Sequence, residues 1–121
     1  MASAQRTVLV VEDEPILRMA AVDMLEDAGF DVVEAADATE AVAILEKRTD
    51  IRVVFTDIDM PRGVDGLKLA ALVRHRWPPI KIIVTSGHVV PPESAMPAGS
   101  LFFAKPYRHA DVVGAVRRFS A

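Results

Sequence analysis

Apolar residues gather along this chain in short runs separated by stretches of helical period. TVLVV (7–11), VVF (53–55), IKIIV (80–84) and LFFA (101–104) are continuous, rich in Val, Ile and Phe, and of the length of strands buried on both faces. DVVEA (31–35) mixes acids with apolar residues and reads as an edge strand. Leu17, Ala21, Met24, Leu25 and Ala28 share one helical face, in a helix that starts at Pro15, a favoured first-turn residue, and ends by Gly29, where a C-cap belongs. Asp37 caps a second helix, with Glu40 completing a capping-box pattern, and this helix continues to about Lys47. A third covers Gly66 to Arg76 and is stopped by Pro78 and Pro79; the last places Val112, Val116 and Phe119 on one face.

Strands alternating with helices predict an α/β fold: a doubly wound parallel sheet with right-handed crossovers and helices on both faces. Residues 1–121 read as one domain, since the chain is too short for two cores. Pro91, Pro92 and Pro97 break the stretch SGHVVPPESAMPAGS (86–100), where at most one turn, about Pro92 to Met96, is expected.

An apolar fraction of 51% and a charged fraction of 26% are ordinary for a globular chain. A formal charge of −3 without any Lys/Arg run argues against nucleic acid as a partner. The absence of cysteine removes disulfides, thiolate metal sites and cysteine nucleophiles. MASAQRT is polar and only four apolar residues follow it, too few for a signal-peptide core or a membrane span, so a cytoplasmic location is expected.

In such sheets ligands bind beyond the carboxyl ends of the strands. There stand Glu12, Asp13 and Glu14 after the first central strand, Asp57 and Asp59 after the third in sequence, Thr85 and Ser86 after the fourth, and Lys105 and Pro106 after the fifth. If the first, third and fourth strands are neighbours, Glu12, Asp13 and Asp57 crowd together. Each pair of carboxylates about 4 Å apart then repels by roughly 4 kcal/mol at an effective dielectric of 20. Oxygen-only ligands and so few carboxylates suit Mg²⁺ better than a calcium cage. An aspartate beside Mg²⁺, a lysine and a hydroxyl is equipped to take a phosphoryl group, because the cations neutralise the transferring oxygens while the carboxylate attacks in line.

The pair ED after the first strand, DIDMP, VTSG and KP, in this order on these elements, together resemble the response regulator receiver domain over nearly the whole chain. The resemblance implies a five-stranded sheet of order 2-1-3-4-5 and a module of two-component or phosphorelay signalling. It implies that Asp57 receives a phosphoryl group from a phosphohistidine on a sensor histidine kinase or histidine phosphotransfer protein. Mg²⁺ would be held by Glu12, Asp13, Asp57 and Asp59, the last through its backbone carbonyl, with Thr85 and Lys105 acting on the phosphoryl oxygens. Phe102 occupies the position of the aromatic switch residue, and Lys105–Pro106 that of a cis peptide. The signal would pass to a downstream protein by contact, without catalytic turnover.

Two departures stand out. RGV between Pro61 and Asp65 is one residue longer than the family's usual spacing, so Arg62 or Gly63 is an insertion beside the site. Segment 86–100 replaces the family's fourth helix, and receivers commonly dimerise or signal through that helix, the fifth strand and the fifth helix; this output face is expected to differ. Thr85 and Phe102 also fit plainer roles, a strand-end threonine and a core aromatic, and Asp59 that of a turn residue. His75, His88 and His109 show no ligand spacing, and Trp77 and Tyr107 are expected to pack rather than stack on a cofactor. DID is also similar to the Asp-x-Asp of haloacid-dehalogenase-like phosphatases, although that pair belongs on a first strand and a cap insertion is missing. A flavodoxin-like cofactor binder would need a Gly-rich or Ser/Thr-rich phosphate loop after the first strand. A stand-alone receiver is expected, the alternative being a piece of a larger regulator or hybrid kinase.

Overall fold

A computed structural model describes residues 7–59, 66–88 and 90–120. Its elements run β1 (Thr7–Val11), α1 (Pro15–Asp27), β2 (Asp31–Ala35), α2 (Ala38–Lys47), β3 (Ile51–Asp57), α3 (Gly66–Arg76), β4 (Lys81–Ser86), a single 3₁₀ turn (Glu93–Ala95), β5 (Leu101–Ala104) and α4 (His109–Ser120). The five strands are all parallel, in the order β2-β1-β3-β4-β5.

Alternation along the central strands divides the core in two. Leu9, Val11, Val54, Ile82 and Val84 face Leu45 of α2 and Leu69 and Val73 of α3. Val8, Val10, Val53, Phe55 and Ile83 face Leu25 of α1 and Val112 and Val116 of α4. Each such side chain, fully buried, contributes about 1.5–3 kcal/mol, enough in sum to make strands of these runs.

The Asp37 cap forms where the sequence predicts it. Asp37 accepts the Glu40 N–H at 2.8 Å. Glu40 reaches back one residue further than a capping box requires, accepting the N–H of Ala36 at 2.6 Å. Glu14 caps α1 through the Ile16 N–H at 3.0 Å, and Gly29 leaves that helix at φ 95°, a conformation disfavoured for side chains with a Cβ.

Three expectations change. LFFA is the second edge strand: Leu101, Phe102 and Phe103 are half-buried and Ala104 exposed, because among the described residues only β4 pairs with it. Leu17 does not join the buried face of α1 and is 46% exposed. β4 begins at Lys81 rather than Ile80.

Among the described residues the proline segment forms only the turn Glu93–Ala95, in the place of the family's fourth helix. The insertion at Arg62 or Gly63 lies outside the described residues. His75, His88 and His109 are exposed, whereas Trp77 and Tyr107 pack against the two cores. Among the described residues, no helix is long and apolar enough to cross a membrane.

Candidate functional site

The sheet order brings the ends of β1, β3, β4 and β5 to one rim. Asp57 stands in register with Thr85, and the Ile58 N–H donates to the Thr85 carbonyl at 2.9 Å, extending the β3–β4 ladder past the acceptor position. The Lys105 N–H donates to the Ser86 carbonyl at 2.9 Å and carries β5's exit onto the same rim. The Lys105–Pro106 peptide is cis. Glu12 continues β1, its N–H bonded to the Ala35 carbonyl at 3.1 Å.

Glu12, Asp13 and Asp57 each offer a carboxylate oxygen within 4.8 Å of the others. Glu12 and Asp57 are buried, at 6% and 5% exposure. Lys105 Nζ lies 3.1 Å from Glu12 Oε1 and 3.4 Å from Asp57 Oδ1. Burial first, and then the charge of Asp57, raises the Glu12 carboxyl above its ordinary range. Burial alone would lower the Lys105 ammonium, but the charges of Asp57 and Glu12 outweigh it and hold its pKa above the ordinary lysine value. One ammonium among three carboxylates leaves negative charge uncompensated, and an all-oxygen donor set of this kind fits a hard divalent cation. These residues fit the metal that the sequence implies.

Thr85 is buried beside this cluster. It lines, with Glu12, Asp57, Lys105, Leu17 and Tyr107, a cavity of about 370 Å³ that opens next to α1. The Tyr107 ring meets Phe55 edge-on at 5.9 Å and forms part of the apolar wall. Phe102 does not reach the cavity; it is half-buried against the core on the α2/α3 side.

Asp59 takes a different course from the other acids. Its N–H donates to Asp57 Oδ1 at 3.1 Å, but its carboxylate is turned to the exit of β4, bonded to the Ser86 hydroxyl and the Gly87 N–H. Burial opposes its charge, yet the bonds from Ser86, Gly87 and His88 outweigh burial and lower its pKa.

Two residues at the site carried no sequence signal. Arg18 donates to the Glu12 carbonyl at 2.9 Å while its Nε holds Glu34, so it braces the acidic turn from α1. His88 approaches Asp59 with Nδ1 at 3.1 Å. Arg18 lies six residues beyond Glu12 and sixteen before Glu34, and the packing of α1 beside β2 brings it against Glu34.

The family model of the response regulator receiver domain matches residues 8–117. The sensor kinase CckA of Brucella abortus is 40% identical over 87 residues, a match covering 71% of this chain and 9% of that one. The transcriptional regulatory protein PdtaR of Mycobacterium tuberculosis is 34% identical over 119 residues, covering 95% of this chain and 57% of its own. The chain thus spans less than two thirds of either curated relative. The crystal structure of a response regulator receiver protein from Sinorhizobium medicae superposes with a TM-score of 0.87 at 29% identity, covering 95% of this chain and 94% of that one. The haloacid-dehalogenase-like alternative finds no support: the family match is to receivers, and Asp59, its would-be general acid, is engaged with Ser86, Gly87 and His88. The chain belongs to the response regulator receiver domain family, the phosphorylation-switched signalling modules of two-component systems.

Proposed function

We propose that residues 1–121 act as one receiver domain in which Asp57 is the phosphoryl acceptor, and that the group is stored as a signal rather than turned over as a substrate. The observation that carries this reading is Lys105, held between Glu12 and Asp57 beside a third carboxylate, Asp13. An Asp57 carboxylate oxygen forms a bond to phosphorus while the P–N bond of a phosphohistidine breaks, its electron pair remaining on the imidazole nitrogen. Lys105 follows the negative charge from Asp57 onto the phosphoryl oxygens, and the Thr85 hydroxyl donates to another of them. Glu12, Asp13 and Asp57, with the Asp59 carbonyl, would hold Mg²⁺, which when bound would supply charge neutralisation for the transferring group.

The donor is a sensor histidine kinase or a histidine phosphotransfer protein. Ile16 and Met19 are exposed on α1 at 76% and 63%, next to the half-exposed Leu17 that lines the cavity, and they provide an apolar landing beside the acid cluster. The added charge of about −1.5 to −2 then gives Thr85 and Lys105 new partners, and Phe102 repacks as the switch that a downstream protein reads.

Intact-mass measurement after incubation with a small acyl phosphate and Mg²⁺ tests this reading in wild type, Asp57→Ala and Asp59→Ala. A single phosphoryl adduct lost only in Asp57→Ala is expected. An adduct that survives Asp57→Ala, or repeated release of phosphate from a phosphoester, overturns it.

A further inference from the structure

Asp59 links two parts of the rim, the acceptor carboxylate and the exit of β4. Its carboxylate is only 14% exposed. Oδ1 accepts the Ser86 hydroxyl at 2.7 Å, and Oδ2 accepts the Gly87 N–H at 2.7 Å and lies 3.1 Å from His88 Nδ1. The Ser86 hydroxyl oxygen in turn accepts the His88 N–H at 3.2 Å. On the other side, the Asp59 N–H donates to Asp57 Oδ1 at 3.1 Å. One residue is therefore tied through its backbone to the acceptor carboxylate and through its side chain to the three residues that follow Thr85.

Among the described residues up to β5 the prolines allow only the turn Glu93–Ala95, so no helix N-terminus follows the exit of β4. The clamped stretch also bears on Lys105. Ser86 accepts the Lys105 N–H at 2.9 Å, and Gly87 lies against the lysine stem, where an added Cβ would stand 3.7 Å from Lys105 Cβ and Cδ.

We propose that Asp59 is a positioning residue whose carboxylate clamps Ser86, Gly87 and His88, setting Thr85 and Lys105 against Asp57 and coupling the acceptor to the exit of β4. The clamp is a property of the resting protein. Only its release, when phosphorylation reorients Asp57 Oδ1 and removes the acceptor of the Asp59 N–H, rests on Asp57 being the phosphoryl site.

Backbone amide exchange on the unphosphorylated full chain tests it. Asp59→Ala is expected to speed exchange at Gly87 roughly ten-fold or more, with β1 and α2 unchanged. Ser86→Ala should speed His88 by less, and Ser86→Thr should restore it. In phosphorylation kinetics with an acyl phosphate, with rates normalised to the folded fraction, Asp59→Ala should lower the saturating rate while leaving the half-saturating donor concentration unchanged. Unchanged Gly87 exchange in folded Asp59→Ala overturns the clamp. If that variant does not fold, Ser86→Ala decides, and unchanged His88 exchange there overturns it. Because exchange is read without any donor, an inert Asp57 and an absent clamp give different results.

Discussion

Gly66→Ala is the substitution for which the structure predicts the sharpest effect. A Cβ at Gly66 would stand 2.3 Å from the carbonyl oxygen of Asp57 and 2.7 Å from both Cα and Cγ2 of Ile58. Ordinary contact needs about 3.5 Å, so α3 and the end of β3 must separate by roughly 1 Å. Two of the three obstructing atoms are backbone, and the strand they belong to is central in the sheet, so neither side yields cheaply. Overpacking costs about 1–3 kcal/mol, and a backbone clash belongs at the upper end. With a urea slope of about 2 kcal/mol/M, the midpoint should fall by about 1.5 M. Gly29→Ala is the instructive comparison. Nothing lies within 4 Å of its added Cβ, but φ is +95°, so about 1 kcal/mol is expected from backbone strain alone. Because the Gly66 clash falls on Asp57 itself, Gly66→Ala should also weaken Mg²⁺ binding, whereas Gly29→Ala should not. Equal urea midpoints for Gly66→Ala and wild type, with an unchanged slope, would refute the close approach of α3 to the acceptor strand.

Lys105→Met removes the cation nearest Glu12 and Asp57, so Mg²⁺ should bind roughly ten-fold tighter by calorimetry while phosphorylation of Asp57 slows; weaker binding would contradict the charge balance described here. In metal-free buffer the raised pKa of Glu12 means that the folded state binds its proton more tightly than the unfolded state. Its contribution is therefore greatest below the ordinary glutamate range and declines as pH rises toward the raised folded value. Urea midpoints across that window should fall in wild type and flatten in Glu12→Gln, and a rising wild-type contribution would sink the assignment. Asp59 acts with the opposite sign at lower pH: its pKa is depressed, so its contribution is present above the ordinary aspartate range and is lost as pH falls through the folded value. Its removal in Asp59→Asn should flatten the acid limb of the same curve. Asp37→Ala deletes the 2.8 Å cap on α2 and should cost about 1 kcal/mol in the same urea assay, without changing Mg²⁺ affinity.

The helices and central strands were legible in the sequence because their causes are local. Apolar runs of strand length, Pro15 at a first turn, Asp37 with Glu40, and prolines 91, 92 and 97 each act within a few residues, and they appear where their chemistry places them. The acids at the ends of β1 and β3 and the lysine after β5 were legible too, since a parallel sheet brings all strand ends of one kind to a single rim. Tertiary structure decided what depends on neighbours. LFFA resembles a central strand in composition and becomes an edge because the sheet order places β4 on one side of it and no described strand on the other. Leu17 has the spacing of a core residue but faces the cavity instead. Asp57 and Asp59 are the same residue type two positions apart, yet one carboxylate joins Glu12, Asp13 and Lys105 while the other crosses to Ser86 and Gly87. No local pattern distinguishes them, because the difference is set by which donors β4 and its exit present across the sheet.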